Sequence, residues 1–260
     1  MKLIASDLDG TILLNGAQSV DASLIDVVSE LAQKGYIFAP ASGRQIASLK
    51  MLFHPLEEQL MYIGENGALV KYKNQTIVKN SIERNLALEI IEDVCAHDNC
   101  EVLVSGEEVA YIKPKTKEYY HRMTQIVKYK TQLVEDFCEI PEDILKIAVC
   151  DLSGIKNSQE YFHKRWDDAV NVAVSGELYL DFMAKNVSKG HAMQQVQQAL
   201  GIAKDECMAF GDNFNDIEML DAVGHAYVME QAVAEIQKHK THSCAKVEDT
   251  LRALMAQGIL

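Results

Sequence analysis

The chain has 260 residues, 48% hydrophobic and 24% charged, enough to bury a sizeable core in one large or two smaller domains. Its formal net charge is −13, and Lys and Arg occur only in scattered pairs, which argues against a nucleic-acid binder working through a clustered basic face. No apolar stretch approaches the ~20 residues that span a bilayer, so a soluble, cytoplasmic protein with no membrane partner is expected.

Residues 2–6 read as a buried strand, with no leader pattern ahead of it. Leu24, Val27, Val28 and Leu31 recur at helical spacing, with Gly35 where a C-cap belongs. A strand at 36–40, a helix at 44–53 and a strand at 60–63 follow. Residues 68–72 and 76–79 then pair as a hairpin across Lys73-Asn74-Gln75. Strands alternating with helices predict an α/β core, a doubly wound and mostly parallel sheet covered on both faces.

The middle changes character. A helix at 85–97 leads to strands at 101–104 and 109–113 around a Ser105-Gly106 turn. A helix at 115–127, a strand at 145–152, a helix at 155–168 and strands at 170–174 and 178–182 complete an α+β unit placed at 82–184. From Ser188 the α/β rhythm returns: helix 189–200, strand 207–210, helix 215–222, strand 225–228 and two C-terminal helices. The core is therefore expected at 1–81 and 185–260, with residues 82–184 as an inserted domain. Such an insertion implies a cleft, a preferred place for ligands. The six cysteines form no CxxC pair and no zinc-ligand spacing, which fits reduced thiols packed as small hydrophobes.

Four segments carry chemistry, each where a parallel strand ends or a helix begins, the side on which open α/β sheets bind ligands. In Asp7-Leu8-Asp9-Gly10-Thr11, two carboxylates two residues apart leave a strand on the same side. They can bind a metal, or divide nucleophile and general-acid roles; a plain Asx-rich capping loop is the other reading. Ser42-Gly43-Arg44 offers a hydroxyl and a glycine N–H at a helix start, an anion site or simply a cap. Lys189 stands in the first turn of a helix, where a cation opposes the helix dipole by ~0.3–1 kcal/mol unless an anion offsets it; a solvated surface lysine behind a Ser188 cap is the alternative. Gly211-Asp212-Asn213-Phe214-Asn215-Asp216 supplies hard oxygen ligands suited to magnesium, or a turn capped by Asn215 or Asp216.

Taken together and in this order, the four segments resemble the haloacid dehalogenase-like hydrolases, and among them the Cof-like phosphatases. Glu65-Asn66-Gly67-Ala68 is similar to the stretch that leads toward the cap domain in that subfamily. The resemblance implies an α/β Rossmannoid core with an inserted cap and magnesium-dependent hydrolysis of small phosphate monoesters, such as sugar phosphates or phosphorylated cofactors. It makes Asp7 the nucleophile that becomes phospho-aspartate, and Asp9 the acid that protonates the leaving alcohol and then activates water. Magnesium is implied at Asp7, the backbone carbonyl of Asp9, and Asp212, with Asp216 in support. Leu8 through its backbone N–H, Ser42, Gly43, Lys189 and Asn215 are implied to grip the phosphate.

Two positions depart from the family pattern. Ser42 replaces a commoner threonine, and Met229-Glu230-Gln231-Ala232 stands where Met-Gly-Asn-Ala is usual. Glu230 near a phosphate would be unfavourable, so it is expected to point away or to mark an unusual substrate. The natural substrate and the oligomeric state are not legible. A phosphosugar mutase or phosphotransferase on the same scaffold, or a phosphate-ligand sensor without turnover, would use the same residues; the intact Asp7, Asp9, Lys189 and Asp212 set weighs against the sensor.

Overall fold

The computed structural model describes residues 1–127 and 129–260. The chain forms two compact units, Met1–Val78 with Ser188–Leu260, and Lys79–Val187. The inserted unit thus opens and closes at Lys79 and Val187, where the sequence set its edges at 82 and 184.

In chain order the first unit starts with β1 (Leu3–Asp7), α1 (Ala22–Gln33), β2 (Ile37–Ala41), α2 (Ile46–Leu52), β3 (Met61–Gly64), β4 (Leu69–Tyr72) and β5 (Gln75–Lys79). The second holds α3 (Arg84–Cys95), β6 (Cys100–Ser105), β7 (Ala110–Ile112), α4 (Lys117–His121), β8 (Thr131–Leu133), β9 (Lys146–Asp151), α5 (Gln159–Trp166), β10 (Asn171–Val174) and β11 (Tyr179–Met183). The first unit resumes with α6 (Lys189–Leu200), β12 (Cys207–Gly211), α7 (Ile217–Asp221), β13 (His225–Met229), β14 (His242–Cys244) and α8 (Val247–Ala256).

The first unit is built on an eight-stranded sheet in the order β14-β13-β12-β1-β2-β3-β4-β5. Its strands from β14 to β3 run parallel, and β4 turns back antiparallel on β3. Every residue of β1 and of β12 is buried, the run of apolar residues that a strand covered on both faces requires. The chain leaves β1 for β2 on one side and reaches β12 on the other, so β1 lies where the strand order reverses. Helix α1 lays Leu24, Val27, Val28 and Leu31 into the core, and Asp21 caps it by accepting the Ser23 N–H. The second unit carries a six-stranded sheet, β10-β11-β9-β6-β7-β8, antiparallel except for β7 with β8. Helices α3 and α5 bury Ile90, Ile91, Val94, Phe162 and Trp166 in a core with Val102, Val149 and Phe182.

Three expectations need correction. The expected pair of C-terminal helices is a 3-10 turn at Ile236–His239, the strand β14 and the single helix α8; Tyr227–Met229 supplies the edge that draws His242–Cys244 into the sheet. The helix expected at 115–127 is α4 followed by a π-helical turn at Arg122–Ile126, and β8 after it was not foreseen. Helix α2 begins at Ile46 behind an extended Gln45, so Ser42-Gly43-Arg44 is a loop ahead of the helix rather than its first turn.

All six cysteines are free thiols. Among the described residues no helix is long and apolar enough to cross a membrane.

Candidate active site

The end of β1 gathers the residues of interest. Asp7 is its last residue and pairs in register with Ala41 of β2, while Ser6 pairs with Phe210 of β12. Ser42 therefore leaves β2, and Asp212 leaves β12, beside Asp7. Carboxylate oxygens of Asp7, Asp212 and Asp216 lie within 4.8 Å of one another.

Lys189 reaches this cluster from the first turn of α6, which Ser188 caps by accepting the His191 N–H at 3.0 Å. Lys189 as a whole is 1% exposed; its ammonium donates to Asp7 Oδ1 and, at 2.7 Å, to Asp216 Oδ1. The offset to the unfavourable helix dipole is thus carboxylate from the protein itself. Burial would lower the Lys189 pKa, but Asp216 and Asp7 outweigh it and hold the ammonium above its ordinary range. Burial pushes the Asp7 carboxyl up, Lys189 opposes that, and the Asp216 charge adds to it. Asp212 is raised as well, chiefly by burial, against a hydrogen bond from Thr11.

Asp216 is fully used. Its second oxygen accepts the backbone N–H groups of Asp212 and Asn213 at 3.1 and 3.0 Å, which closes the loop after β12 and aims Asp212. Asp7 Oδ2 is different: it is buried and, among the described residues, has no hydrogen-bond partner. Three carboxylates around one ammonium carry two excess negative charges if all are ionised. Buried charge of that kind demands a counterion, and a divalent cation against Asp7 and Asp212 meets the demand. The donor set, all carboxylate oxygen, suits magnesium.

Asp9 does not join the cluster through its side chain. Its carboxylate, 56% exposed, is held by Arg44, with Nε to Oδ2 at 3.0 Å and a terminal nitrogen to Oδ1 at 2.5 Å. Leu8 is buried, and its carbonyl accepts the N–H groups of Ile12 and Leu13. Ser42 is buried and its hydroxyl accepts the Arg44 N–H at 3.2 Å. Gly43 is half-buried against the Asn66 amide, which an added Cβ would approach to 3.0 Å. Asn215 is exposed on the turn before α7. Glu230 is exposed just past β13, and its neighbour Gln231 donates to the Gly10 carbonyl at 2.9 Å.

Sequence reasoning missed three contributors. Thr11 Oγ1 donates to Asp212 Oδ1 at 2.6 Å, tying the first segment to the fourth. Arg44 was read only as the start of a helix, with no partner for its side chain. Glu65-Asn66-Gly67 is a run of left-handed backbone, φ 51, 54 and 99, that bridges two segments. Its Asn66 N–H donates to the Ser42 carbonyl at 3.0 Å, and Gly67 packs against Ser188. Its sequence signals were the Asn-Gly dipeptide, a turn marker, and the resemblance already noted for Glu65-Asn66-Gly67-Ala68; neither pointed to the contacts with Ser42 and Ser188. An alanine Cβ at Gly67 would lie 2.3 Å from the Ser188 carbonyl oxygen, at a φ that L side chains rarely adopt. Gly67→Ala is therefore expected to destabilise the fold by about 2–4 kcal/mol, read as a lowered denaturation midpoint; an unchanged midpoint would show that the bridge yields freely.

A family model described as haloacid dehalogenase-like hydrolase matches residues 4–250. The chain is 25% identical over 234 residues to the 5-amino-6-(5-phospho-D-ribitylamino)uracil phosphatase YbjI of Escherichia coli (strain K12), covering 89% of this chain and 86% of that protein. The crystal structure of SMU.1108c from Streptococcus mutans UA159 superposes with a TM-score of 0.84 at 27% identity, over 98% of this chain and 99% of that one. A haloacid dehalogenase-like hydrolase from B. subtilis shares the fold over the full length of both chains, with a TM-score of 0.82 at 22% identity.

Proposed function

Because the chain belongs to the haloacid dehalogenase-like hydrolases, we propose that it is a magnesium-dependent phosphatase acting on small phosphate monoesters through a phospho-aspartate at Asp7. The observation that carries this is the Asp7–Asp212–Asp216 cluster, with buried Asp7 and Asp216 on a single ammonium and half-buried Asp212 beside them, and one Asp7 oxygen unpartnered among the described residues. A carboxylate in that setting is a nucleophile fixed in direction rather than a structural ion pair.

Asp7, Asp212 and the Asp9 backbone carbonyl, with Asp216 in support, would hold magnesium, which would screen the nucleophile's charge from the phosphate's. Asp7 attacks phosphorus through the oxygen that Lys189 does not hold, and the alcohol departs as the ester bond breaks. Asp9 gives that alcohol its proton, then takes one from the water that attacks the aspartyl phosphate and frees Asp7. Lys189, the Ser42 hydroxyl, the N–H groups of Leu8 and Gly43, and the Asn215 amide stabilise the transferring phosphoryl oxygens. Phosphoryl transfer is chiefly positioning and charge stabilisation, and these residues sit just past strand ends of one sheet or, for Lys189, in the first turn of α6.

The substrate class we infer is a phosphorylated polyol, sugar or cofactor. The Escherichia coli relative is named for a phosphate ester of a ribityl group, which is such a compound. Turnover of a panel of phosphorylated metabolites, with magnesium and after chelation, tests the proposal. Release of inorganic phosphate that stops on chelation and returns with magnesium is expected; equal turnover without a divalent cation would sink the metal assignment.

Asp212→Ala is expected to raise the magnesium concentration needed for half-maximal activity by at least tenfold. Glu107→Ala, in the second unit, should leave it unchanged. An unaltered magnesium titration for Asp212→Ala would remove that residue from the cation site.

A further inference from the structure

Arg44 has no role in the chemistry just described, yet its geometry against Asp9 is specific. Both Asp9 oxygens are engaged, at 3.0 and 2.5 Å, by two nitrogens of one guanidinium, the fork arrangement that only arginine provides. The side chains are 31% and 56% exposed, and an ion pair so open to water contributes little to stability. Arg44 itself is anchored at both ends of its backbone. Its N–H donates to Ser42 Oγ at 3.2 Å, and its carbonyl accepts the Glu65 N–H at 3.0 Å. A rigid base thus carries the guanidinium to a carboxylate that, among the described residues, no other side chain holds.

Asp9 follows Asp7 by two residues, close enough for its carboxylate to turn toward the cation-binding cluster. The three carboxylates gathered there do not include it. A bidentate partner leaves one lone-pair site on each Asp9 oxygen, open to a hydrogen bond with the departing alcohol. An arginine does not give up its own proton at working pH, so Arg44 cannot replace Asp9 as the acid.

We propose that Arg44 is a positioning residue for the acid–base step, its guanidinium holding the Asp9 carboxyl out of the Asp7–Asp212–Asp216 cluster and turned toward the departing alcohol. This rests on the reading of Asp9 as the general acid given above. A misplacement of about 1 Å can cost on the order of 10²-fold in rate. In the step that breaks the ester bond, the loss should appear only where leaving-group protonation matters; the later attack of water should slow alike for every ester.

The test compares Arg44→Ala, Arg44→Lys and Asp9→Asn on glycerol phosphate, an alkyl ester, and on nitrophenyl phosphate, whose phenolate leaves without a proton. Arg44→Ala should lower the single-turnover rate of alcohol release from glycerol phosphate by roughly 10–10²-fold and that of phenolate release from nitrophenyl phosphate by no more than about threefold, with KM for either ester little changed. Arg44→Lys keeps a cation without the fork and should recover part of the loss. Added to Asp9→Asn, Arg44→Ala should cost nothing further on the alkyl ester, the non-additivity of residues acting as one unit. Equal losses on the two esters, or a loss confined to KM, would make Arg44 a structural or phosphate-binding residue and overturn the proposal. If Asp9→Asn is selective for the alkyl ester and Arg44→Ala is not, positioning alone fails. If Asp9→Asn shows no selectivity, the general-acid assignment fails and the role of Arg44 falls with it.

Discussion

Asp7→Asn is expected to abolish turnover while the protein stays folded. An amide oxygen cannot attack phosphorus, and removal of a covalent nucleophile costs on the order of 10⁶-fold in other enzymes. Folding should survive because Asn keeps the shape and an acceptor for Lys189, which also retains Asp216. Stability should rise in the absence of metal. Burial and the neighbouring Asp216 charge hold the Asp7 pKa above its ordinary value, so the folded state binds a proton more tightly than the unfolded chain does. For a carboxyl raised in this way, stability falls as pH climbs above the ordinary carboxylate range. The neutral amide escapes that loss. Metal-free Asp7→Asn should therefore melt above the wild type at neutral and mildly alkaline pH, and the two should converge in acid. Near wild-type turnover in the variant would refute covalent catalysis; a lower melting point would show that the Asp7 charge holds the cluster together.

Lys189→Ala should have the second-largest effect, and on both fold and activity. The ammonium is buried with two carboxylates on it. Removing one member of a buried ion pair costs about 3–5 kcal/mol, because the remaining charges stay desolvated and unpaired. Turnover should fall with it, since the phosphoryl group loses its nearest side-chain cation. Magnesium should restore part of the stability by supplying charge to the same carboxylates, with binding at ~100-fold above Kd contributing about 2.7 kcal/mol. Denaturation midpoints with and without magnesium measure this. A loss below about 1 kcal/mol would mean that water reaches the cluster and that the buried-charge argument is wrong.

The parts of this site that lie next to one another in the chain were legible from the residues themselves. The meeting of Asp7 with Asp212, Asp216 and Lys189 across the fold came only through the family resemblance, and other contacts across the fold did not come at all. Asp7 and Asp9 announce themselves because a two-residue spacing after an apolar run has a direct geometric meaning. Asp212 and Asp216 do so because an acidic turn follows an equally apolar strand. Thr11 and Asp212 are 201 residues apart, and nothing local says that a threonine after a glycine will orient a carboxylate on another strand. Arg44 was visible as a residue and invisible as a partner for Asp9, since the contact depends on how the loop after β2 folds ahead of α2. The same limit explains the fold errors. The three residues of β14 and of β8 are too short to show a period of two, and each is made a strand by a neighbouring edge. Gly10 shows the reverse: its left-handed φ of 95 and the 2.4 Å that would separate a Cβ from Asp212 Oδ2 give a physical reason for a glycine that the motif merely contained.

The central claim is that the phosphoryl group passes through Asp7. Rapid chemical quench during the first turnovers, followed by peptide mapping of the phosphorylated residue, tests it most directly. The account predicts an acid-stable, alkali-labile acyl phosphate on Asp7, formed within one turnover, accumulating in Asp9→Asn where water activation is lost, and absent from Asp7→Asn. Phosphate release with no acyl phosphate on Asp7 in Asp9→Asn, or phosphoryl label on another residue, would contradict it.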